Sequence, residues 1–389
     1  MPSPLRVEDV LRLARERRAE VAAARARIRA ASERPAIVSA LEDPMVAPAL
    51  DHLPFRLQGA DFSLFLEQRF PLSRVRKHRR QAAEADLERT RAEADRTVLD
   101  VAFEAAASFY MLHQRRESGA ILEEQIALAR QVVSAANARY AGGTGTQSDV
   151  LQAEVAVARL IALSASVKGE VRAAEAMLNT SLGRGADEIV PALDAAGLAQ
   201  PVPAWSEVMP ALEQRPELVA GRADIKRAAS DVQVMRDMFK PMLTVRTGPA
   251  YTMSDGAGAM LMVGVSLPIW RGKLRAGVAE AEAMREMVQA DLQAMGRIVV
   301  GQAAAARHQV QAAQIRHQKL RTDVVPRARY AIDTALASYA AGRVPLVSVL
   351  AAVQALWAAQ MDVIEAEAEL GMAWARLHRA IGTNLEVTP

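Results

Sequence analysis

The sequence predicts a mainly α-helical protein with a small β part, built as a tandem duplication of one structural plan. Three observations support this prediction. Alanine, the strongest helix former, supplies 79 of the 389 residues. Proline, which breaks helix interiors, is absent from three long stretches, between residues 71 and 191, 268 and 326, and 345 and 389. Several short sequences also recur at an offset of 197 to 199 residues.

The recurring sequences divide the chain into two structural repeats, residues 1–200 and 201–389, joined by a proline-rich stretch. The clearest matching pairs are Arg25–Arg29 with Arg222–Lys226, Phe70–Leu72 with Leu267–Ile269, and Tyr140–Gly143 with Tyr339–Gly342. Similarity at one nearly constant spacing indicates duplication of a whole unit. We therefore expect each repeat to contain a helix, two strands, a long helix, a turn and a final helix.

Composition excludes several classes of protein. The chain has no cysteine, so it has no disulfide, no thiolate metal site, no cysteine nucleophile and no lipidated cysteine. A net charge of +3 gives no case for nucleic acid binding. The segment from Met1 to Val21 is rich in charge and lacks an apolar core, which predicts that no signal peptide is present. Either the start is that of a processed form, or the protein stays in the cytoplasm.

The first long helix is expected to run from about Arg74 to Ala141. A helix of that length would span about 100 Å at 1.5 Å per residue. Apolar or small residues recur in it at alternating steps of four and three, interrupted by Arg91. They are Leu87, Ala94, Val98, Val101, Ala105, Ser108 and Leu112, with Val288, Leu292, Met295 and Val299 in the second repeat. This pattern predicts a coiled-coil seam with small side chains.

The strands are predicted from alternation with a period of two. One side of the first repeat's strand carries Phe62, Leu64, Leu66 and Phe70, and the other carries Ser63, Glu67 and Arg69. In the second repeat, the apolar side carries Leu243, Val245, Thr247, Val263, Val265 and Leu267, opposite Thr244, Arg246, Met262, Gly264 and Ser266. Such strands match the length of a membrane-spanning β-strand, although an ordinary hairpin on a soluble core has the same pattern.

The first repeat's opening strand, near Val46 to Leu50, is a weak prediction because Pro44 flanks it and Pro48 interrupts it. Four strands per chain cannot close a barrel, and an open sheet edge cannot lie in lipid. If the strands are in a membrane, several chains must share one barrel. Two chains would give eight strands and three would give twelve.

The duplicated motif Arg139-Tyr140-x-x-Gly143 with Asp149-Val150-Leu151, and its second copy Tyr339-x-x-Gly342 with Val349-Leu350, resembles the TolC family of outer-membrane channels. Pro71 and Pro268, each closing a strand before a basic helix start, add to the resemblance. The sequences Asp43-Pro44 and Leu66–Leu72 resemble the metal-efflux branch, which serves cobalt-zinc-cadmium and copper-silver systems.

The resemblance implies a homotrimer in which twelve strands form a barrel in the outer membrane of a Gram-negative bacterium and long helices form an α-helical barrel in the periplasm. It also implies a passive export duct with no enzymatic activity, partnered by a periplasmic adaptor and an inner-membrane RND-type pump, and surrounded by outer-membrane lipid. Substrates could be heavy-metal ions, drugs or secreted protein, and only the branch resemblance favours metal ions.

The resemblance assigns the two glycine turns to the periplasmic tip, which closes at rest and docks on the adaptor. The residues concerned are Tyr140, Gly143, Asp149, Leu151, Tyr339, Gly342, Arg343 and Leu350. The gate candidates are Asp149, Arg343 and Ser348. Relatives often carry carboxylates at the positions of Ser348 and Ala351, and they carry a gating arginine one place after Arg343. The missing carboxylates weigh against an acidic selectivity ring.

Other candidate sites favour ordinary structural roles. The six histidines, at 52, 78, 113, 308, 317 and 378, show no helical ligand spacing, so no metal site and no cofactor are predicted. Met253, Met260 and Met262 could suit soft copper or silver ions, but methionine is also a common gap filler. The run Gly142–Gly145 lacks a following lysine, so a tight turn before a helix capped at Ser148-Asp149 is favoured over a phosphate cradle.

Two further segments leave alternatives open. The basic run from Arg74 to Arg80, echoed by Arg271, Lys273 and Arg275, could contact anionic lipid headgroups or be a solvated face. The uncharged segment Val344 to Met361 has the length of a transmembrane helix, but its alanine content and polar residues favour a helix in the tunnel wall. The competing interpretation of the whole chain is a soluble coiled-coil scaffold, which leaves the two hairpins unexplained.

Overall fold

A computed structural model of the chain describes residues 3–52, 61–195, 198 and 200–382. The first half has the predicted order of elements. They are β1 (Leu5–Arg6), α1 (Val7–Arg17), α2 (Ala19–Ser39), β2 (Met45–His52), β3 (Asp61–Pro71), α3 (Val75–Ala141) and α4 (Gln147–Ser181). The predicted long helix is confirmed, since α3 is continuous over 67 residues.

The second half repeats this order. Its elements are β4 (Leu193–Asp194), α5 (Trp205–Glu213), α6 (Pro216–Asp237), β5 (Met242–Thr252), β6 (Gly256–Ser266), α7 (Arg271–Lys319), a π-helical turn (Leu320–Val324), α8 (Val325–Ala340) and α9 (Leu346–Ile381). Pro326 accounts for the interruption because proline has no N–H to donate to the preceding helical turn. It lies in the first turn of α8, where a missing N–H is tolerated. The short parallel pair β1–β4 has no counterpart in the sequence prediction.

The chain forms two compact units, and each draws on both halves of the sequence. The strand unit comprises Ala24–Asp95 and Pro216–Arg297. The other unit, called the tip unit after the predicted tip turns that it contains, comprises Met1–Ala23, Arg96–Arg215 and Ile298–Pro389. Since neither unit corresponds to one sequence repeat, the division into repeats at residue 200 stays a prediction.

The strand unit contains one antiparallel sheet with the order β2-β3-β5-β6. The weakly predicted first strand is present, and Pro48 lies within it opposite Leu64. Proline is tolerated there because β2 is an edge strand. Pro71 is the last residue of β3, whereas β6 ends at Ser266, two residues before Pro268. The sheet therefore joins the hairpins of both halves through the central β3–β5 pair.

The two faces of the sheet differ as the alternation predicts. Paired residues in an antiparallel sheet share a face, so the printed register assigns every side chain to one side or the other. One face, here called the apolar face, is solvent-exposed in the single chain. Its exposed large side chains are Val46, Leu50, Phe62, Leu64, Leu66, Phe70, Tyr251, Leu261, Val263 and Val265, all at least 36% exposed. Leu243 and Val245 on the same face are half-buried. Such a continuous apolar surface is unusual for a monomeric soluble protein.

The opposite face carries a charged cluster. Glu67 is buried and pairs across the sheet with Arg246, whose Nη2 and Nε donate to Oε2 at 2.6 and 3.1 Å. Arg69 donates from Nε to the other oxygen at 3.2 Å. The Arg246 guanidinium also lies 4.1 Å from the centre of the Phe65 ring. Because β3 and β5 come from different halves of the chain, this pair links the two hairpins at a fixed register.

Gly248 allows β3 and β5 to approach beside this cluster. A Cβ at this position would overlap the Leu64 carbonyl oxygen and would lie 2.8 Å from the Phe65 Cα. Both neighbours are backbone, which cannot move aside without breaking the sheet. By contrast, nothing lies within 4 Å of a Cβ placed on Gly258 in β6.

The tip unit is held together by helical seams of small and aliphatic side chains. Within this unit, the predicted seam of α3 is buried or half-buried at Val98, Val101, Ala105, Ser108 and Leu112. The earlier seam residues Leu87 and Ala94 are half-buried and buried in the strand unit, where Arg91 is exposed. In α9 the buried residues Leu346, Val349, Val353 and Leu356 follow the same alternating spacing. Packing of such seams, not intrinsic propensity, supplies most of the stability of long helices.

Within the described residues, α4 and α9 are long and apolar enough to cross a membrane by length and composition alone. The core helix of a soluble protein has the same character. In α9, many apolar residues are buried in the tip unit, so its assignment to a tunnel wall stays the preferred prediction.

We predict that Gly248→Ala destabilises the protein by at least about 1–3 kcal/mol, the usual cost of forcing an extra methyl group into packed structure. Thermal unfolding in detergent, followed by circular dichroism, measures this. Gly258→Ala is the matched control and should unfold within about a degree or two of the parent chain. Equal effects of the two substitutions would contradict the close approach at Gly248.

Candidate functional site

The two predicted glycine turns have the same backbone geometry. Gly143 and Gly342 have φ values of 70° and 73°, in the left-handed region. In the first turn, Gly143 N donates to Tyr140 O at 3.0 Å and Thr144 N to Arg139 O at 2.9 Å. The second turn repeats both bonds, from Gly342 N at 2.9 Å and from Arg343 N at 2.9 Å. This pair of bonds ends a helix tightly and requires a residue without a Cβ at its centre.

The helix after the first turn begins with a capping box. Asp149 N donates to Thr146 Oγ1 at 3.2 Å, and Thr146 N donates to Asp149 Oδ2 at 3.4 Å. The N-cap is therefore Thr146, not Ser148-Asp149 as the sequence suggested, because the helix begins one residue earlier at Gln147. Asp149 is its N3 partner, and its carboxylate also lies at the positive end of the helix dipole.

Arg139 connects the two turns. Its Nη2 donates to Thr144 O in the first turn at 2.9 Å, and its Nη1 donates to Tyr339 O beside the second turn at 3.2 Å. Its guanidinium lies 4.5 Å from the centre of the Tyr339 ring. The Arg139 side chain thus joins the two copies of the motif through a cation–π contact and two hydrogen bonds.

The two tyrosines of the motif have different environments. Tyr339 is fully buried and belongs to a core that all four helix ends form, together with Val132, Val150, Ile332 and Leu346 among others. Tyr140 is 50% exposed. The arginine that covers Tyr339 has no equivalent in the second copy, since the residue before Tyr339 is Ser338. Duplication has therefore left one tyrosine as a core residue and one as a surface residue.

The Tyr339 hydroxyl is buried without a hydrogen-bond partner among the described residues. Burial raises the pKa of this hydroxyl, the Asp149 carboxylate raises it further, and Arg139 partly offsets both. The neutral phenol is therefore strongly favoured, and the ring contributes through packing and through its contact with Arg139.

The remaining predicted tip residues lie around this core. Gly143, Gly342, Arg343, Ser348 and Leu151 are exposed, whereas Asp149 and Leu350 are half-buried. The sequence prediction missed the role of Arg139, although it quoted the residue within the motif. The absence of an arginine at the matching position of the second copy was the available signal. Within the part of the chain that the structure describes, no ion pair joins Asp149 to Arg343, and both gate roles stay predictions.

The structure separates the three candidate methionines. Met260 and Met262 lie on the polar face of β6, paired with Gly248 and Arg246. Met253 lies in the hairpin turn and is 59% exposed. Within the described residues, no group of three or more His, Cys, Asp or Glu side chains is arranged to hold a metal ion. The side chain of His52 lies outside the described residues.

We predict that Arg139→Gln loosens the tip by about 1–2 kcal/mol, through the lost cation–π contact and charged hydrogen bonds. Tyr339→Phe should be neutral or slightly stabilising, because it removes a hydroxyl that is buried without a partner. Hydrogen exchange of the Thr144 and Arg343 amides measures local opening. The control is Arg130→Gln on the exposed side of α3, which should leave exchange unchanged. Faster exchange in Tyr339→Phe than in Arg139→Gln would contradict this assignment.

The sequences of two related proteins align with most of this chain. The outer membrane efflux protein BepC of Brucella suis biovar 1 is 26% identical over 289 residues, which cover 72% of this chain and 62% of BepC. The cobalt-zinc-cadmium resistance protein CzcC of Cupriavidus metallidurans is 24% identical over 303 residues, which cover 76% of this chain and 72% of CzcC. The alignment thus spans less than two thirds of the length of BepC.

The fold matches that of a solved structure. Crystal structures of CusC, determined in connection with folding and transmembrane channel formation, superimpose with a TM-score of 0.85 and 16% identity. The match covers 97% of this chain and 92% of CusC. The profile of the family "Outer membrane efflux protein" matches the chain twice, over residues 10–184 and 209–383. The chain therefore belongs to the outer membrane efflux protein family, which confirms the resemblance carried by its duplicated turns.

Proposed function

We propose that this protein is the outer-membrane channel subunit of a tripartite efflux system, a passive duct without catalytic activity. The observation that carries the proposal is a sheet with one exposed apolar face and two unpaired edges. Family membership supports the assignment to outer-membrane efflux. The competing interpretation, a soluble scaffold, would expose the apolar face to water at a large free-energy cost, since each buried large apolar side chain stabilises by about 1.5–3 kcal/mol.

The apolar face supports insertion of the sheet into lipid. Strands β3, β5 and β6 each contain 11 residues, close to the number that spans the hydrocarbon core at the usual tilt. The apolar side chains alternate with the polar face that carries Glu67, Arg69 and Arg246. Apolar side chains outside and polar side chains inside are typical of a transmembrane barrel with a hydrated interior.

The sheet edges support assembly of several copies. Among the described residues, β2 and β6 have a partner on one side only. Each unpaired backbone group in hydrocarbon costs several kcal/mol, so an open edge cannot stay in a membrane. Pairing β6 of one copy with β2 of the next removes every edge when the ring closes. We propose a homotrimer, in which three four-stranded sheets give a closed barrel of twelve strands.

The two turns are proposed as the periplasmic end, where the duct closes and an adaptor docks. Exposed Tyr140, Leu151 and Arg343 are available to a neighbouring copy or to a partner protein. Asp149 and Arg343 would hold the closed end across copies, with Ser348 near the same opening. An inner-membrane pump of the RND type and the adaptor would supply the energy and the substrate, so the channel itself needs no cofactor.

We propose heavy-metal ions as the substrate class. The support is the similarity to CzcC, whose name states cobalt-zinc-cadmium resistance. Drug efflux and type I protein secretion are the alternatives within the same architecture. Growth of a deletion strain on graded zinc, cobalt and cadmium, with and without the restored gene, separates them. Loss of tolerance to drugs but not to metals would assign the channel to drug efflux.

The gate proposal predicts that removing the Asp149 charge raises single-channel conductance in planar bilayers. Asp149→Ala removes both the charge and the capping box, whereas Asp149→Asn removes the charge and keeps an amide oxygen that can accept from Thr146 N. If the charge holds the end closed, both variants should conduct more than the parent channel. Asp187→Ala, an exposed carboxylate in a loop of the tip unit, is the matched control. Unchanged conductance in both Asp149 variants would remove this residue from the gate.

A further inference from the structure

Two neighbouring cavities, here called the paired cavities, lie in the strand unit, with volumes of about 240 and 450 Å³. They share Arg79 of α3 as a lining residue. The smaller cavity lies where one end of the strands β3, β5 and β6 meets the helices α3 and α6. The larger cavity lies among α2, α3 and α6. A ligand that occupies both would therefore contact three helices and the sheet.

The smaller cavity lies on the polar side of the sheet. The register places its strand residues on the face that carries Glu67 and Arg246, and these residues are Arg69, Pro71, Met242 and Ser266. In the proposed function this face borders the hydrated interior of the barrel. A ligand therefore reaches the cavity from the duct and is a soluble molecule, not a membrane lipid.

Cations outnumber carboxylates around the paired cavities. The cations are Arg34, Arg69, Arg76, Arg79, Arg89, Arg227 and Lys240, and the carboxylates are Glu42, Asp86, Asp231 and Asp237. Three carboxylates pair with cations of the same set: Asp86 with Arg89 at 3.0 Å, Asp237 with Lys240 at 2.8 Å, and Glu42 with Arg69 at 4.0 Å. Burial raises the pKa of the fourth carboxyl, Asp231, and the charge of Arg227 partly offsets this rise. Asp231 therefore interacts with Arg227.

The other three cations, Arg34, Arg76 and Arg79, form no ion pair with any carboxylate in the described part of the chain. The Nε of Arg76 donates to the uncharged Ser39 carbonyl at 2.7 Å. Arg76 and Arg79 are three apart in the first turns of α3, so they share a face at the positive end of the helix dipole. Arg34 comes from a different helix, α2. Guanidinium groups in this situation favour an anion, and their planar donors match the two oxygens of a carboxylate.

Apolar side chains complete the walls of the paired cavities. The smaller cavity has Leu41, Val75, Met238 and Leu267, and the larger one has Val38, Ala83 and Val234. The two volumes together fall in the range of small-molecule sites, about 300–1,000 Å³. An inorganic anion would leave these apolar walls uncovered. A ligand that fits both the arginines and the walls has several anionic groups on a hydrocarbon body.

We propose that the paired cavities bind an organic polycarboxylate that travels through the duct, with Arg34, Arg76 and Arg79 binding its carboxylates. This inference rests on the proposed function and names the chemistry of its substrate. A bare divalent cation is repelled by the excess of positive charge at this site. A heavy-metal ion therefore meets these arginines only within an anionic complex, and the substrate becomes a metal bound to a carboxylate chelator.

Isothermal titration calorimetry of the full chain in detergent tests this, with benzene-1,3,5-tricarboxylate as the probe and benzoate as the monovalent comparison. We expect the tricarboxylate to bind at least about tenfold more tightly than benzoate. The double variant Arg76→Gln/Arg79→Gln should lose about that factor, and Arg34→Gln should lose about three- to tenfold. The charge-matched control Lys77→Gln/Arg80→Gln alters residues of the same basic run that do not line either cavity and should lose less than about threefold.

Equal losses in the two double variants would overturn the proposal, since they would indicate diffuse attraction to the whole basic run. Equal affinities for the tricarboxylate and benzoate would also overturn it, because several arginines would then not act together. The zinc complex of ethylenediaminetetraacetate, a dianion, should displace the tricarboxylate from the parent chain. Failure of this displacement would overturn the extension to metal complexes.

Planar bilayer recordings separate this inference from the proposed function. If the protein forms normal channels but does not bind the tricarboxylate, this inference alone is contradicted. If the protein never forms channels, the proposed function is contradicted, and with it the passage of any ligand through a duct.

Discussion

The constraint on which the rest of this structure depends is that backbone groups in hydrocarbon must be hydrogen-bonded within protein. In the described part of the chain the larger sheet has four strands, and in a membrane its central pair would satisfy this requirement whereas its edges β2 and β6 would not. The apolar face favours lipid, yet the edges forbid a single sheet from staying there. The proposed oligomer therefore follows from the strand count of the sheet. The charged cluster of Glu67 and Arg246 adds a fixed register at the β3–β5 seam between the two halves.

Duplication gave this chain two similar hairpins and two similar turns, and the turns now differ in their contacts. Both turns keep a left-handed glycine, because no other residue adopts that backbone conformation without strain. Their surroundings diverged, since Tyr339 is buried beneath Arg139 while Tyr140 is exposed. An internal contact that joins the halves thus coexists with side chains that stay exposed.

Local patterns made much of this architecture predictable. Alternation places Phe62, Leu64 and Leu66 on one face whatever the partner strand, and long proline-free stretches predict the helices. Non-local contacts could not be predicted in this way. The pairing of Glu67 with Arg246 joins residues 179 apart, and many registers would preserve the same alternation. The contact of Arg139 with Tyr339 depends on how four helix ends pack, and the proposed gate would depend on contacts between copies.

Cysteine cross-linking between the two sheet edges tests the central claim most directly, because the chain has no cysteine of its own. Val46→Cys on β2 is combined in turn with Leu261→Cys, Val263→Cys and Val265→Cys on β6, all on the apolar face. These edges are at opposite sides of one sheet, so a disulfide must join two copies. We predict that oxidation in membranes gives a closed covalent trimer for at least one pair. The shared barrel would be contradicted if every double-cysteine variant gave only monomers and the protein stayed monodisperse without detergent.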